Sequence, residues 1–235
     1  MAVRAPRLDV SGPRAVGVRV PYPGIPQRVR DWVDDVLGSP VVSTTEQVGG
    51  MSTGQRDPRR LRRRHARVRE ELNPDSPNIY RREVTVLGLL GRHEMWAALL
   101  ASYDADGWVA LVLEDVDGTH PDLSDDAAMD RLLADVDRLP AVLDERVPVV
   151  PAPKPDDGGL NDLRAGFEKW AAAFSLLDEV PRDLAPQWLV EGADEYGARV
   201  RAMAEQPFEH LVHWDIRNDN LLQRPDGSIV FVDWG

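Results

Sequence analysis

The stretch that decides the reading is residues 211–235, LVHWDIRNDNLLQRPDGSIVFVDWG. Pro225-Asp226-Gly227 is a turn signal: Pro pre-sets its own φ, and Asp and Gly accept the tight backbone that follows. Leu221–Leu222 and Ile229–Val232 flank the turn as short apolar arms, so the segment reads as a β-hairpin. Pairing about that turn sets Asn220 and Asp233 side by side at the open end. Asp215 lies five residues ahead of Asn220, on the loop leading into the first arm. Two carboxylates and an amide therefore converge on one small volume. Hard oxygen donors of this kind suit Mg2+, which keeps several waters and shares itself with substrate phosphates.

Upstream of the hairpin the pattern alternates between helices and short strands. Ile25–Leu37 reads as an amphipathic helix with Val29, Trp32, Val33, Val36 and Leu37 on one face and Gly38 as its stop. Residues 40–48 have strand composition and run into Gly49-Gly50-Met51-Ser52-Thr53-Gly54, a strand feeding a Gly-rich turn. Residues 55–70 hold eight Arg in sixteen positions without alternation and read as a solvated basic helix or loop. Ser76-Pro77 is an N-cap and first-turn pair for a helix reaching about Leu90, burying Tyr80, Val84, Leu87 and Leu90. Strands are expected at 97–103 and 108–114 about the turn Asp104–Gly107. Ser124 is the expected cap of a helix carrying Met129, Leu132, Leu133, Val136 and Leu139. A Pro-rich loop over 147–160 precedes helical stretches at about 161–176 and 184–206. Trp96, Trp170 and Trp188 fall on core positions of these patterns, and His93, His120 and His210 on surface or capping positions.

Composition narrows the function classes. The chain of 235 residues is 43% hydrophobic and 29% charged, a globular balance. It contains no cysteine, which excludes disulfides, thiolate metal sites and a cysteine nucleophile. No apolar run approaches the roughly 18 residues of a membrane helix and no signal core opens the chain, so a cytoplasmic address without membrane association is expected. A net charge of −12 argues against nucleic acid. The charge is uneven: residues 1–70 carry 14 Arg against 7 acids, and residues 71–235 carry 14 basic against 33 acidic residues. Of 28 basic residues, only Lys154 and Lys169 are lysine.

The terminal motif resembles that of a known family. His213-x-Asp215-x-x-x-x-Asn220 followed by Asp233-Trp234-Gly235 is similar to the catalytic loop and metal-binding motif of kinases. In this form it resembles the aminoglycoside phosphotransferase family, the small-molecule branch that includes choline kinases. Trp214 stands where the family has Gly, and Arg217 where it often has His. The resemblance implies transfer of the γ-phosphoryl group of ATP or GTP to a hydroxyl of a small-molecule acceptor. Asp215 would be the catalytic residue that accepts or orients the hydroxyl proton, and Asn220 and Asp233 would hold Mg2+. His213 would brace the loop. Further upstream the resemblance implies nucleotide-binding roles for Gly49, Gly50 and Ser52 in the Gly-rich loop and for Glu83 on the helix over 73–90. Glu114 and Val116 would meet the adenine edge at the hinge.

The fold implied is α+β: a bilobal protein-kinase-like fold with a nucleotide-binding lobe over 1–117 and a mainly helical catalytic lobe over 118–235. Two departures stand out. The family's third strand carries a phosphate-gripping Lys, whereas no Lys precedes Lys154 and the Arg-rich stretch 55–67 occupies that strand's place, with His65 near the expected position. Gly235 follows the metal motif directly, where the family has further helices lining the acceptor pocket. A frame slip in a GC-rich coding sequence would account for both, and reading the DNA in all three frames tests it. Impaired activity is the expectation, and a non-catalytic nucleotide- or protein-binding pseudokinase is the alternative.

Overall fold

The computed structural model describes residues 22–42, 64–70, 75–177, 186–207 and 209–235, with the backbone alone at 64–70 and 75–77. Among these the chain is a mixed α+β fold with a three-stranded and a two-stranded antiparallel sheet. Helix α1 (Gln27–Leu37) ends at Gly38, whose φ of 74° supplies the left-handed cap expected of a glycine there. Strand β1 (Arg64–Glu70) is followed by α2 (Asp75–Leu90), β2 (Leu99–Ala105), β3 (Trp108–Glu114) and α3 (Asp126–Arg146). Then come α4 (Arg164–Phe174), α5 (Gln187–Glu191), α6 (Ala193–Ala204), β4 (Leu221–Gln223) and β5 (Ile229–Phe231).

Strand β3 is the centre of the first sheet, in the order β1-β3-β2. Its sequence, WVALVLE, is almost continuously apolar because both faces are covered. Trp108, Ala110 and Val112 pack with Val29 and Val33 of α1, while Val109, Leu111 and Leu113 pack with Tyr80, Leu87 and Leu90 of α2. The period of two along a strand divides its side chains between the two helices. β2 and β3 meet through Asp106 and Gly107, with φ of 54° and 76°, the paired positive values of a tight two-residue hairpin.

β1 corrects an expectation. Residues 64–70, assigned to an irregular Arg-rich segment, form an edge strand antiparallel to β3, with His65 opposite Leu113 and Val68 opposite Ala110. The sequence lacks the alternation of a half-buried strand, yet the free edge of β3 offers a complete row of backbone partners, and an edge strand tolerates charge. The rest of the Arg-rich stretch, and the expected strand and Gly-rich turn over 43–54, lie outside the described residues. α3 also differs. Its N-cap is Asp125, whose carboxylate accepts from Ala128 N at 3.0 Å, and Ser124 instead donates to Asp122. The helix continues through Pro140 to Arg146, and Leu133 is exposed. The stretch expected as one helix over 184–206 is broken at Gly192 into α5 and α6.

The second sheet is the hairpin β4–β5, paired Leu221 with Phe231, Leu222 with Val230 and Gln223 with Ile229. It is fastened to the segment between α2 and β2 by Phe231 N, which donates to Met95 O at 2.8 Å. Trp96, Phe231 and Trp234 join residues of α2, β3 and α3 in one buried apolar cluster. No helix among the described residues is long and apolar enough to cross a membrane.

Candidate functional site

The hairpin forms about the expected turn, but its register is one residue off the expected side-by-side placement of Asn220 and Asp233: Asn220 stands opposite Val232. Pairing runs one step beyond the strands, because Val232 N donates to Asn220 O at 2.9 Å, so Asp233 is the next residue after Asn220's partner. Asp233 holds a φ of 70°, the left-handed region a non-glycine residue enters only where its surroundings impose it. Trp234 then turns inward. It is buried, its indole donates to Phe231 O at 3.1 Å, and its ring meets Trp96 edge-on at 5.8 Å.

Asn220 is 1% exposed and its amide nitrogen is committed twice, to Asp215 O at 2.9 Å and to Asp215 Oδ2 at 3.0 Å. Both partners are acceptors, which fixes the amide orientation. Its Oδ1 is left without a protein partner among the described residues. Asp215 itself is half exposed, with Arg217 Nε 3.5 Å from its Oδ2 and 2.8 Å from Asp219 Oδ1. Asp215 N bonds back to His213 O at 2.9 Å, closing a γ-turn centred on Trp214 at φ 71°.

His213 is buried and bonds Val232 O through Nε2 at 3.1 Å. A carbonyl only accepts, so Nε2 carries the proton. Burial pulls the imidazole pKa below its ordinary value, against the opposing pull of the Val232 carbonyl and of the Asp233 and Asp215 charges. Its ring lies edge-on to Trp234 at 4.4 Å. A neutral, buried ring thus ties the 211–215 loop to the hairpin.

The other expected residues divide. Glu83 is 1% exposed, so it is no solvated helix residue. It lies one turn beyond Ile79, which is so close to Gly235 that a Cβ at 235 would stand 2.7 Å from the Ile79 carbonyl oxygen. Glu114 closes β3: its N donates to Ala98 O at 2.8 Å and its carboxylate accepts from Ala98 N at 3.4 Å. Val116 packs with Ala97, Val230, Val232 and Leu222. Its backbone N–H and C=O have no hydrogen-bond partner among the described residues. Beyond it Thr119 and Gln223 exchange backbone bonds of 3.1 and 2.7 Å, pinning the linker to the hairpin. The structure thus joins Asp215, Asn220 and Asp233 on one loop and hairpin, with the 114–119 linker beside it. Gly49, Gly50 and Ser52 lie outside the described residues.

Sequence reasoning missed two features. One is the Arg217 contact with Asp215, signalled only by a cation inside an acidic loop. The other is an aromatic group: Trp170 stacks on Trp214 at 5.1 Å and 10°, and Phe167 meets Trp214 edge-on at 5.4 Å. Trp170 and Trp188, expected in the core, are 50% and 61% exposed, whereas Trp96 is buried as expected. His210 is exposed and paired with Asp144.

Among the described residues no group of three or more His, Cys, Asp or Glu side chains is placed to hold a metal. The donor set is two carboxylates and an amide oxygen, enough for a hard cation that takes one or two carboxylates and fills its remaining positions from water and phosphate. The chain matches no family model and no curated protein.

Proposed function

We propose that this chain carries a kinase-like phosphoryl-transfer site of the aminoglycoside phosphotransferase type, within a bilobal kinase-like fold. The observation that carries the reading is the Asn220 amide held 3.0 Å from Asp215 Oδ2, on the hairpin whose next paired step leads into Asp233. Asn220 and Asp233 are the residues to hold Mg2+, which supplies charge neutralisation on the nucleotide phosphates. Asp215 orients the acceptor hydroxyl and takes its proton as the hydroxyl oxygen bonds to the γ-phosphorus and the β–γ bridging bond breaks, releasing the nucleoside diphosphate. The unpaired backbone of Val116 suits the edge of a base. Arg217 lies close enough to Asp215 to stabilise its charge.

The absence of Lys before Lys154 favours a second reading, a nucleotide-binding protein that does not transfer phosphate. Calorimetry with ATP, with and without Mg2+, tests the shared part. Binding that requires Mg2+ and falls at least about tenfold in Asp233→Asn is expected from the loss of a charged contact. No binding to the folded chain sinks both readings. Given binding, nucleoside diphosphate release on adding polyhydroxylated acceptors, abolished in Asp215→Ala, selects the enzyme, and an Asp215→Ala variant indistinguishable from the parent selects the second reading.

A further inference from the structure

Lined in part by Leu211 to Trp214 is a cavity of about 650 Å³ that the phosphoryl-transfer reading leaves unused. Val86, Leu160, Phe167, Leu211, Trp214 and Trp234 form its apolar walls, and none of Asp215, Asn220 and Asp233 lines it. Its volume is that of a pocket for a small organic molecule. Two polar features break the apolar lining. Arg82, on α2, is partly buried and spends only its Nε, on Gly159 O at 3.1 Å. The two terminal nitrogens have no partner among the described residues. Burial weakens the hold of this guanidinium on its proton, as expected of a partly desolvated cation. The second is His213, 7% exposed, whose Nδ1 is buried without a hydrogen-bond partner while Nε2 is committed to Val232. With the proton on Nε2, Nδ1 is a bare acceptor.

A partly desolvated cation and a buried acceptor lining one apolar chamber both gain from a ligand that meets them. We propose that this cavity binds a small aromatic carboxylate that also carries an N–H or O–H donor, its acid on Arg82 and its donor on His213 Nδ1. The remaining charges agree. Arg164 also lines the cavity, with its Nε donating to Ala204 O at 3.2 Å, and Asp162 adds a carboxylate to the lining. His210 is tied to Asp144 at 2.8 Å. The lining side chains therefore carry two guanidinium groups, Arg82 and Arg164, against one carboxylate, Asp162. The site is separate from the phosphoryl-transfer reading and does not depend on it.

Calorimetry on the full chain tests this with three probes of one shape: indole-3-propionate, its neutral amide, and tryptamine. The acid is expected to bind at least about tenfold more tightly than the amide, and tryptamine most weakly, as a charge-assisted bond to guanidinium requires. Arg82→Gln is expected to remove the preference for the acid and leave amide affinity unchanged. Met203→Glu, on the exposed rim, adds a negative charge without touching the buried wall, and is expected to weaken the acid alone. Equal affinity for the three probes, no binding, or an acid preference that survives both substitutions overturns the proposal.

Discussion

Single residues carry the strain and the charge of the site. Trp214 occupies φ 71°, where a Cβ costs roughly 1–2 kcal/mol and glycine costs nothing. It recovers part of that through stacking on Trp170 and an edge-on contact with Phe167. Removing the ring and comparing the two smallest replacements isolates the backbone part. Trp214→Gly is expected to be more stable than Trp214→Ala by about 1 kcal/mol in urea unfolding, the reverse of the usual order. His210 offers a separate test. Its bond to Asp144, with that residue's charge, raises its pKa above the ordinary value. The contribution to stability is complete below the unfolded pKa of about 6.5 and is lost as pH rises through the higher folded value. An NMR titration of the imidazole is expected to show this, with Asp144→Asn returning the midpoint toward the ordinary value. An unmoved midpoint in that variant rejects the pairing.

At the scale of elements, local signals were legible where the chain satisfied itself and misleading where a neighbour intervened. Gly38 as a stop, Asp106-Gly107 as a tight turn and 225–227 as the hairpin turn follow from backbone preference alone. Ser124 and Asp125 are both capping residues by type, and which one caps depends on which is free. Ser124 is taken by Asp122 Oδ1 at 2.6 Å, which leaves Asp125 for Ala128 N. Asp125→Ala is therefore expected to lower stability by about 1 kcal/mol, and Ser124→Ala by less than about half of that, in matched urea titrations. Strand β1 was illegible for a related reason: its partner is the edge of β3, reached through pairs from Glu70–Trp108 to Arg64–Glu114 that are far apart in sequence. Edge pairing uses main-chain groups that every residue supplies.

Across the whole molecule, the hairpin is the hub. Phe231 is fully buried, its N–H is held by Met95, and the cluster it belongs to reaches α2, β3 and α3. Phe231→Ala is expected to cost about 3–5 kcal/mol. Because one cluster spans both sheets, near-UV and far-UV circular dichroism of the parent are expected to unfold together. Two separated transitions would show that the sheets are held independently.

The sequence alone determined the hairpin and the proximity of Asp215 to Asn220, because a tight turn and a five-residue loop leave the backbone little choice. The same was true of α1 and of the two-residue hairpin at 106–107, whose caps and turns are local. The register of the terminal hairpin, with Asn220 opposite Val232, was decided by the folded pairing. Only tertiary structure decided the rest. Glu83 and His213 became buried because α2 and the hairpin close over them, whereas Trp170 and Trp188 stayed exposed on helices whose apolar pattern looked the same. An apolar period states that a face can be covered, and burial depends on whether another element arrives to cover it. The chamber lined by Leu211 to Trp214 has the same origin, since α2, α4 and the loop that wall it share no stretch of sequence.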